Sequence, residues 1–139
     1  MKRNLFMVVV VTTGLLVVSG SVLAHHGGNL YDMSKTVILK GTITKFEWGN
    51  PHNQIYFDST DEKGEVSHWN VETEPPAVMS ERGWTRRSLN PGDQVTVYFN
   101  GARNGATVGI VQKIVKADGK ELTARGPAAP AAPGATPAP

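Results

Sequence analysis

Three histidines have the side chains and the spacing for a metal site. His25 and His26 are adjacent, and His52 follows in a predicted turn. Imidazole nitrogens suit Cu(II), which heads the divalent affinity order and prefers tetragonal geometry, and they also bind Zn(II) tetrahedrally. His25, His26 and His52 are therefore the candidate metal ligands, with copper or zinc as the expected metal. His68, in the middle of a predicted strand, ranks fourth.

The sequence ahead of the histidine pair has the features of an export signal. A cationic start precedes an almost wholly apolar run (residues 5–18), and a small-residue cleavage site ends at Ala24. We therefore expect residues 1–24 to be a signal peptide, cleaved after Ala24. The protein is then periplasmic or secreted, with membrane contact only through this segment. An uncleaved anchor is the alternative, because roughly 20 residues can just cross a bilayer.

Cleavage after Ala24 would make His25 the amino terminus and create a chelate. The α-amine and ring Nδ1 of His25 can bind one metal ion together, and an imidazole from His26 or His52 would complete a T-shaped set. If Ala24 were retained, the Ala-His-His terminus would bind Cu(II) without help from the rest of the fold. The competing interpretation is a solvated histidine pair, with His52 only capping its turn. His25 and His52 also flank a strand roughly 40 Å long at ~3.3 Å per residue, which must coil to bring them together.

Charge and cysteine content limit the classes of partner. The chain has 14 Lys and Arg residues against 12 Asp and Glu, and removal of Lys2 and Arg3 with the signal leaves 12 of each. A mature chain without net formal charge lacks the basic surface that nucleic acids require. Without cysteine there is no disulfide, no thiolate ligand and no lipoprotein anchor. The classes of partner that are not excluded are a small ligand, a metal or another periplasmic protein.

The alternation of apolar residues predicts a mostly β domain. Strands are expected over residues 36–48, 54–59, 66–73, 94–100 and 106–117, with a short helix after Pro75-Pro76 and a final short piece over 120–122. A change of parity between Gly41 and Lys45 predicts a β-bulge in the long first strand. The order β-β-β-α-β-β favours a small five-stranded OB-like barrel, whereas a β-sandwich would need about seven strands.

These elements divide the chain into four parts. After the signal peptide comes a mature N-terminal segment (residues 25–35), followed by the OB-like β-barrel domain (residues 36–122). Residues 123–139 are rich in Pro and Ala and nearly uncharged. Such a composition cannot bury a core, so we expect this tail to be disordered.

The motifs, taken in order, resemble a family of small exported bacterial proteins classed as a domain of unknown function. They are AHH at the cleavage site, YD at 31–32, the strand ending in W-x-N-P-H at 48–52, and GW followed by L-x-P-G-D over 83–93. Gly27-Gly28 and Gly49 depart from the Ser-Phe and Thr that are usual in that family. The resemblance implies export but supplies no established activity.

Aromatic residues on the second and third predicted strands indicate a second type of site. OB barrels bind oligomeric ligands on the face built around these strands, so Tyr56 and Trp69, with Glu72, form a candidate ligand face. This face would make the protein a metal-free partner- or glycan-binding module. The competing interpretation is that the rings fill the core of a small barrel.

Catalysis is the least favoured of the three kinds of chemistry. Glu47, Glu72 and Glu74 lie near the aromatic strands, and a glycosidase needs two carboxylates at a defined separation. The chain has no nucleophile elbow, phosphate loop or His-Glu-x-x-His motif. We therefore expect a binding or accessory protein and not an enzyme.

Overall fold

Six strands and one short helix make up residues 30–126, the part of the chain described by the structure, which is a computed structural model. They are β1 (Val37–Glu47), β2 (Gln54–Thr60), β3 (Val66–Glu72), α1 (Pro76–Glu81), β4 (Gln94–Gly101), β5 (Val108–Lys116) and β6 (Glu121–Thr123). The predicted signal peptide, His25, His26 and the tail beyond residue 126 lie outside this range. Within it, no helix is both long enough and apolar enough to span a bilayer.

The first five strands close into a barrel. Antiparallel pairs join the strands in the order β3-β2-β1-β4-β5, and a short parallel pairing of β3 with β5 completes the circle. We call this parallel pairing, Asn70–Glu72 against Val108–Ile110, the β3–β5 seam. The OB-like five-stranded barrel predicted from the element order is confirmed. The final short piece is a sixth strand, β6, which pairs with β5.

The long first strand coils at a bulge. Ile43 pairs with Phe57 and Lys45 pairs with Tyr56, so Thr44 is left without a partner in β2. This extra residue shifts the parity, and Phe46 therefore packs against the core on the same side as Ile43. The bulge predicted between Gly41 and Lys45 is confirmed, and it lets one strand pair with both β2 and β4.

The core fills the barrel and is closed at one end by the helix region. Phe57 and Phe99 lie edge to face inside it, with ring centroids 6.2 Å apart. Trp84 follows α1 and is 1% exposed, and its Nε1–H donates to the Thr123 carbonyl at 2.9 Å. Buried residues extend from Tyr31 to Ala124. The packed region therefore includes part of the segment before β1 and the first residue after β6.

Candidate functional site

The loop between β1 and β2 is held in place by a buried asparagine. Asn53 is fully buried, and its Nδ2 donates to the Thr73 hydroxyl and to the Glu74 carbonyl, both at 3.0 Å. Its Oδ1 accepts from the Gly49 backbone N–H at 3.2 Å. One side chain thus joins both ends of the loop to the residues that follow β3, which fixes the conformation of the turn that carries His52.

His52 stands on this fixed turn with one ring nitrogen already used. Its Nδ1 lies 3.0 Å from the carbonyl oxygen of Thr73. A carbonyl only accepts, so Nδ1 carries the proton and the neutral ring has its lone pair on Nε2. The side chain is exposed. Metal-binding histidines commonly donate their second N–H to a backbone carbonyl in this way, which orients the ring and raises its basicity.

The fourth histidine of the chain lies at the other end of the β2–β3 hairpin. His68 pairs with Asp58, and its Nδ1 is 2.6 Å from that carboxylate. Between residues 30 and 126, no group of three or more His, Cys, Asp or Glu side chains is arranged to hold a metal ion. The other two candidate ligands, His25 and His26, lie outside the described residues.

The two aromatic residues of the candidate ligand face point to opposite sides of the sheet. Trp69 pairs with Phe57 and faces inward, with its ring stacked on Phe57 at 6.3 Å and edge to face with Phe99 at 5.0 Å. Tyr56 pairs with Asn70, and its hydroxyl lies outside the core. Because side chains alternate along a strand, the two rings cannot stack on one ligand from the same side.

Two of the carboxylates considered for catalysis, Glu47 and Glu72, have a specific partner. Glu47 accepts a hydrogen bond from the Tyr56 hydroxyl at 3.1 Å and forms an ion pair with Lys45. The hydrogen bond from Lys45, followed by that from Tyr56, lowers the pKa of Glu47. A carboxyl group with a lowered pKa stays ionised at neutral pH, which is unsuited to a general acid.

Glu72, at the end of β3, is contacted by a residue from the segment before β1. The Tyr31 hydroxyl donates to Glu72 Oε1 at 3.2 Å, and Tyr31 is only 8% exposed. Burial and then the negative charge of Glu72 raise the pKa of Tyr31 to about 12. A cavity of about 180 Å³ lies between Tyr31 and the β3–β5 seam, lined also by Gln54 and Asn70. Reasoning from the sequence missed Tyr31 as a site residue, and its only signal was the YD motif.

Comparison with known proteins places the chain in a family. A family model, described as a family of unknown function (DUF6152), matches residues 12–112. That range contains Tyr31, His52 and Thr73, as well as most of the barrel. No curated protein and no solved structure matches the chain significantly. The expectation that the chain resembles a family of unknown function is confirmed, and the chain belongs to DUF6152.

Proposed function

We propose that this protein is an exported binding protein that holds Cu(II) through its mature N-terminal histidines together with His52. The observation that carries the proposal is the state of the His52 ring. Its Nδ1–H is donated to Thr73 at 3.0 Å, on a turn fixed by the buried Asn53. This arrangement leaves the Nε2 lone pair free to bind a metal, with its position set before any metal arrives.

The remaining donors come from the processed terminus. Cleavage of the signal peptide after Ala24 gives His25 a free α-amine, which forms a chelate with its own ring Nδ1. His26 or His52 then supplies a further imidazole. Three or four nitrogen donors suit the tetragonal preference of Cu(II), while Zn(II) would accept the same imidazoles in a tetrahedral site. The site therefore exists only in protein that has been exported and cleaved, which links binding to the periplasm or the cell exterior.

The test is a Cu(II) titration, followed by EPR, of protein exported and processed by a bacterial host. The mass of the product must show that the chain begins at His25. The parent is compared with His25→Ala, His26→Ala and His52→Ala. His68→Ala is the matched control, because it removes another exposed imidazole, at the far end of the hairpin. A version with Gly-Ser-Gly-Ser ahead of His25 tests the need for the free amine.

We expect one tight equivalent with nitrogen hyperfine structure in the EPR spectrum. Binding should be lost in His25→Ala and in the extended version, and weakened about tenfold or more in His52→Ala, since an intramolecular donor acts at high effective concentration. His68→Ala should bind like the parent. Tight binding that is unchanged in His52→Ala would show that the site is only a terminal chelate. Binding no tighter than that of an unrelated peptide would refute the metal site and direct attention to ligands of the outer face around Tyr56 and Glu72.

A further inference from the structure

The cavity of about 180 Å³ at the β3–β5 seam lies on the outer side of the barrel. Asn70 and Glu72 flank the buried Val71, so their side chains point away from the core. Gln54 pairs with Glu72 and Val108 pairs with Asn70, which places all four side chains on this outer side. We call this space the seam cavity, and its lining includes Leu30, Tyr31, Gln54, Asn70, Glu72 and Val108.

The wall of the seam cavity that precedes β1 is fixed to the barrel. Tyr31 forms an isolated β-bridge with Ala102, and the Leu30 carbonyl accepts from the Arg103 N–H at 2.9 Å. The Tyr31 hydroxyl donates to Glu72 Oε1 at 3.2 Å, across the seam. Both the backbone and the side chain of this wall are therefore held in place by the fold, which gives the cavity a preformed shape.

Two acceptors in the seam cavity lack a matching donor in the described part of the chain. Among residues 30–126, Asn70 Oδ1 is the one buried side-chain atom without a hydrogen-bond partner. No lysine, arginine or histidine of the same range forms an ion pair with Glu72. A buried acceptor without a donor is rare because it costs free energy, and a ligand that donates to it recovers this loss.

These two acceptors define the chemistry of a complementary ligand. A primary ammonium group is positively charged, has three donors and has no acceptor. It can therefore donate to Glu72 and to Asn70 Oδ1 at once, while Leu30 and Val108 offer apolar surface to its carbon chain. A cavity of about 150 Å³ is known to hold benzene, so the seam cavity has room for a small organic molecule.

We propose that the seam cavity binds a small organic ion with a primary ammonium group. Glu72 supplies the opposite charge, and Asn70 Oδ1 is the second acceptor. The Tyr31 hydroxyl occupies Oε1 of Glu72 and leaves Oε2 for the ligand. A metal such as Ca²⁺ fits less well, because it takes about six to eight oxygen ligands and the cavity offers one carboxylate. This site does not depend on the metal site proposed above.

The test is an NMR titration of the full chain, exported and processed as above, with n-butylammonium as the probe. Tetramethylammonium carries the charge without N–H donors, 1-butanol has a similar size without charge, and Ca²⁺ tests for a metal site. Glu72→Gln and Asn70→Leu each remove one acceptor. Glu65→Gln is the matched control, because it removes an exposed carboxylate at the opposite end of β3.

We expect n-butylammonium to shift the backbone amides of Asn70, Glu72 and Val108, with one saturable Kd on the order of 1 mM for so small a probe. Glu72→Gln and Asn70→Leu should each weaken binding about tenfold or more, since each removes a hydrogen bond to a charged group. Tetramethylammonium and 1-butanol should bind the parent about tenfold more weakly or worse. Glu65→Gln should bind like the parent.

Urea unfolding without the probe separates binding from structure. Asn70→Leu should unfold at a urea concentration no lower than the parent, because it removes an acceptor that has no partner. A less stable Asn70→Leu would show that the amide has a structural role and would contradict the argument from its missing partner.

Three results of the titration would overturn the proposal. Equal affinity for tetramethylammonium, or shifts scattered over exposed carboxylates, would show attraction of charge without a site. Tighter binding of Ca²⁺ at the same amides would identify a metal site and not an ammonium site. Unchanged affinity in Glu72→Gln would show that its carboxylate does not bind the probe, whatever the stability of Asn70→Leu.

Discussion

At the scale of single residues, the turn that carries His52 depends on one amide side chain. The side-chain carbonyl of Asn53 accepts from Gly49 in the loop, and its amino group donates to Thr73 and Glu74 after β3. A buried amide with all of its partners in place specifies one conformation, whereas its removal leaves several buried groups unsatisfied. Asn53 therefore couples the stability of the fold to the geometry of the candidate ligand.

We expect Asn53→Ala to lower the free energy of unfolding by about 2–3 kcal/mol, since the Gly49 N–H loses its acceptor and the Thr73 hydroxyl and Glu74 carbonyl each lose the donor that Asn53 supplies. Urea unfolding measures this loss. Asn104→Ala is the control, because Asn104 is exposed and bonds only within its own turn, so it should cost less than about 1 kcal/mol. Equal losses in the two variants would contradict the role given to Asn53.

The raised pKa of Tyr31 gives a prediction for alkaline pH. The ordinary value is 10.0 and the folded value is about 12, raised first by burial and then by the charge of Glu72. The stabilisation from the protonated hydroxyl is therefore complete below pH 10 and is lost as the pH rises towards 12. Denaturant unfolding at about pH 8 and about pH 11 should show a larger loss of stability in the parent than in Tyr31→Phe. The same loss in both proteins would contradict this assignment.

At the scale of elements, β1 organises the barrel because it bends. Its first half pairs with β4 and its second half with β2, and the bulge at Thr44 lies in the half that pairs with β2. Near the crossover, β1 and β2 approach closely at Gly41. A Cβ placed there would lie 2.5 Å from the Asp58 carbonyl oxygen and 2.8 Å from the Phe57 ring.

Gly41→Ala should therefore destabilise the fold by about 2–3 kcal/mol, because the obstructing atoms include backbone that cannot move without opening the β1–β2 pairing. Thermal or urea unfolding measures the change. Gly49→Ala is the matched control, since no atom lies within 4 Å of a Cβ at that position, and it should stay within about 0.5 kcal/mol of the parent. A neutral Gly41→Ala would show that the strands can separate without cost.

At the scale of the whole molecule, the proposed metal site joins the chain terminus to a loop of the closed barrel. A ligand that binds only the folded state stabilises it by mass action. A terminal chelate, in contrast, survives unfolding and binds both states equally. The effect of the metal on unfolding therefore separates a site that includes the barrel from one that does not.

We expect saturating Cu(II) to raise the Tm of processed protein, by an amount that approaches 2.7 kcal/mol of stabilisation at a free concentration about 100 times the Kd. Differential scanning calorimetry measures the shift. His52→Ala should remove most of it while leaving some binding at the terminus. An unchanged Tm in the parent, at a concentration shown to saturate the site, would contradict a site shared with the barrel.

The sequence alone determined the elements and much of the architecture. The strands, the helix after Pro75-Pro76 and the bulge in β1 follow from alternation and turn residues, which are local properties that any stretch of chain displays. The same alternation places Tyr56 opposite to its neighbours Ile55 and Phe57, so the separation of Tyr56 from Trp69 could have been found by comparing parity in the two strands.

Only the tertiary structure decided which distant residues meet. The Tyr31 hydroxyl bonds to Glu72, 41 positions away, and the His52 ring bonds to Thr73, 21 positions away. Neither contact has a local pattern, because each depends on how far β1 coils and where β3 meets β5 to close the barrel. If β1 were straight, the terminal histidines would lie far from His52. The closed, coiled barrel brings Tyr31 to the end of β3 because pairing around a circle, and not distance along the chain, sets which residues are neighbours.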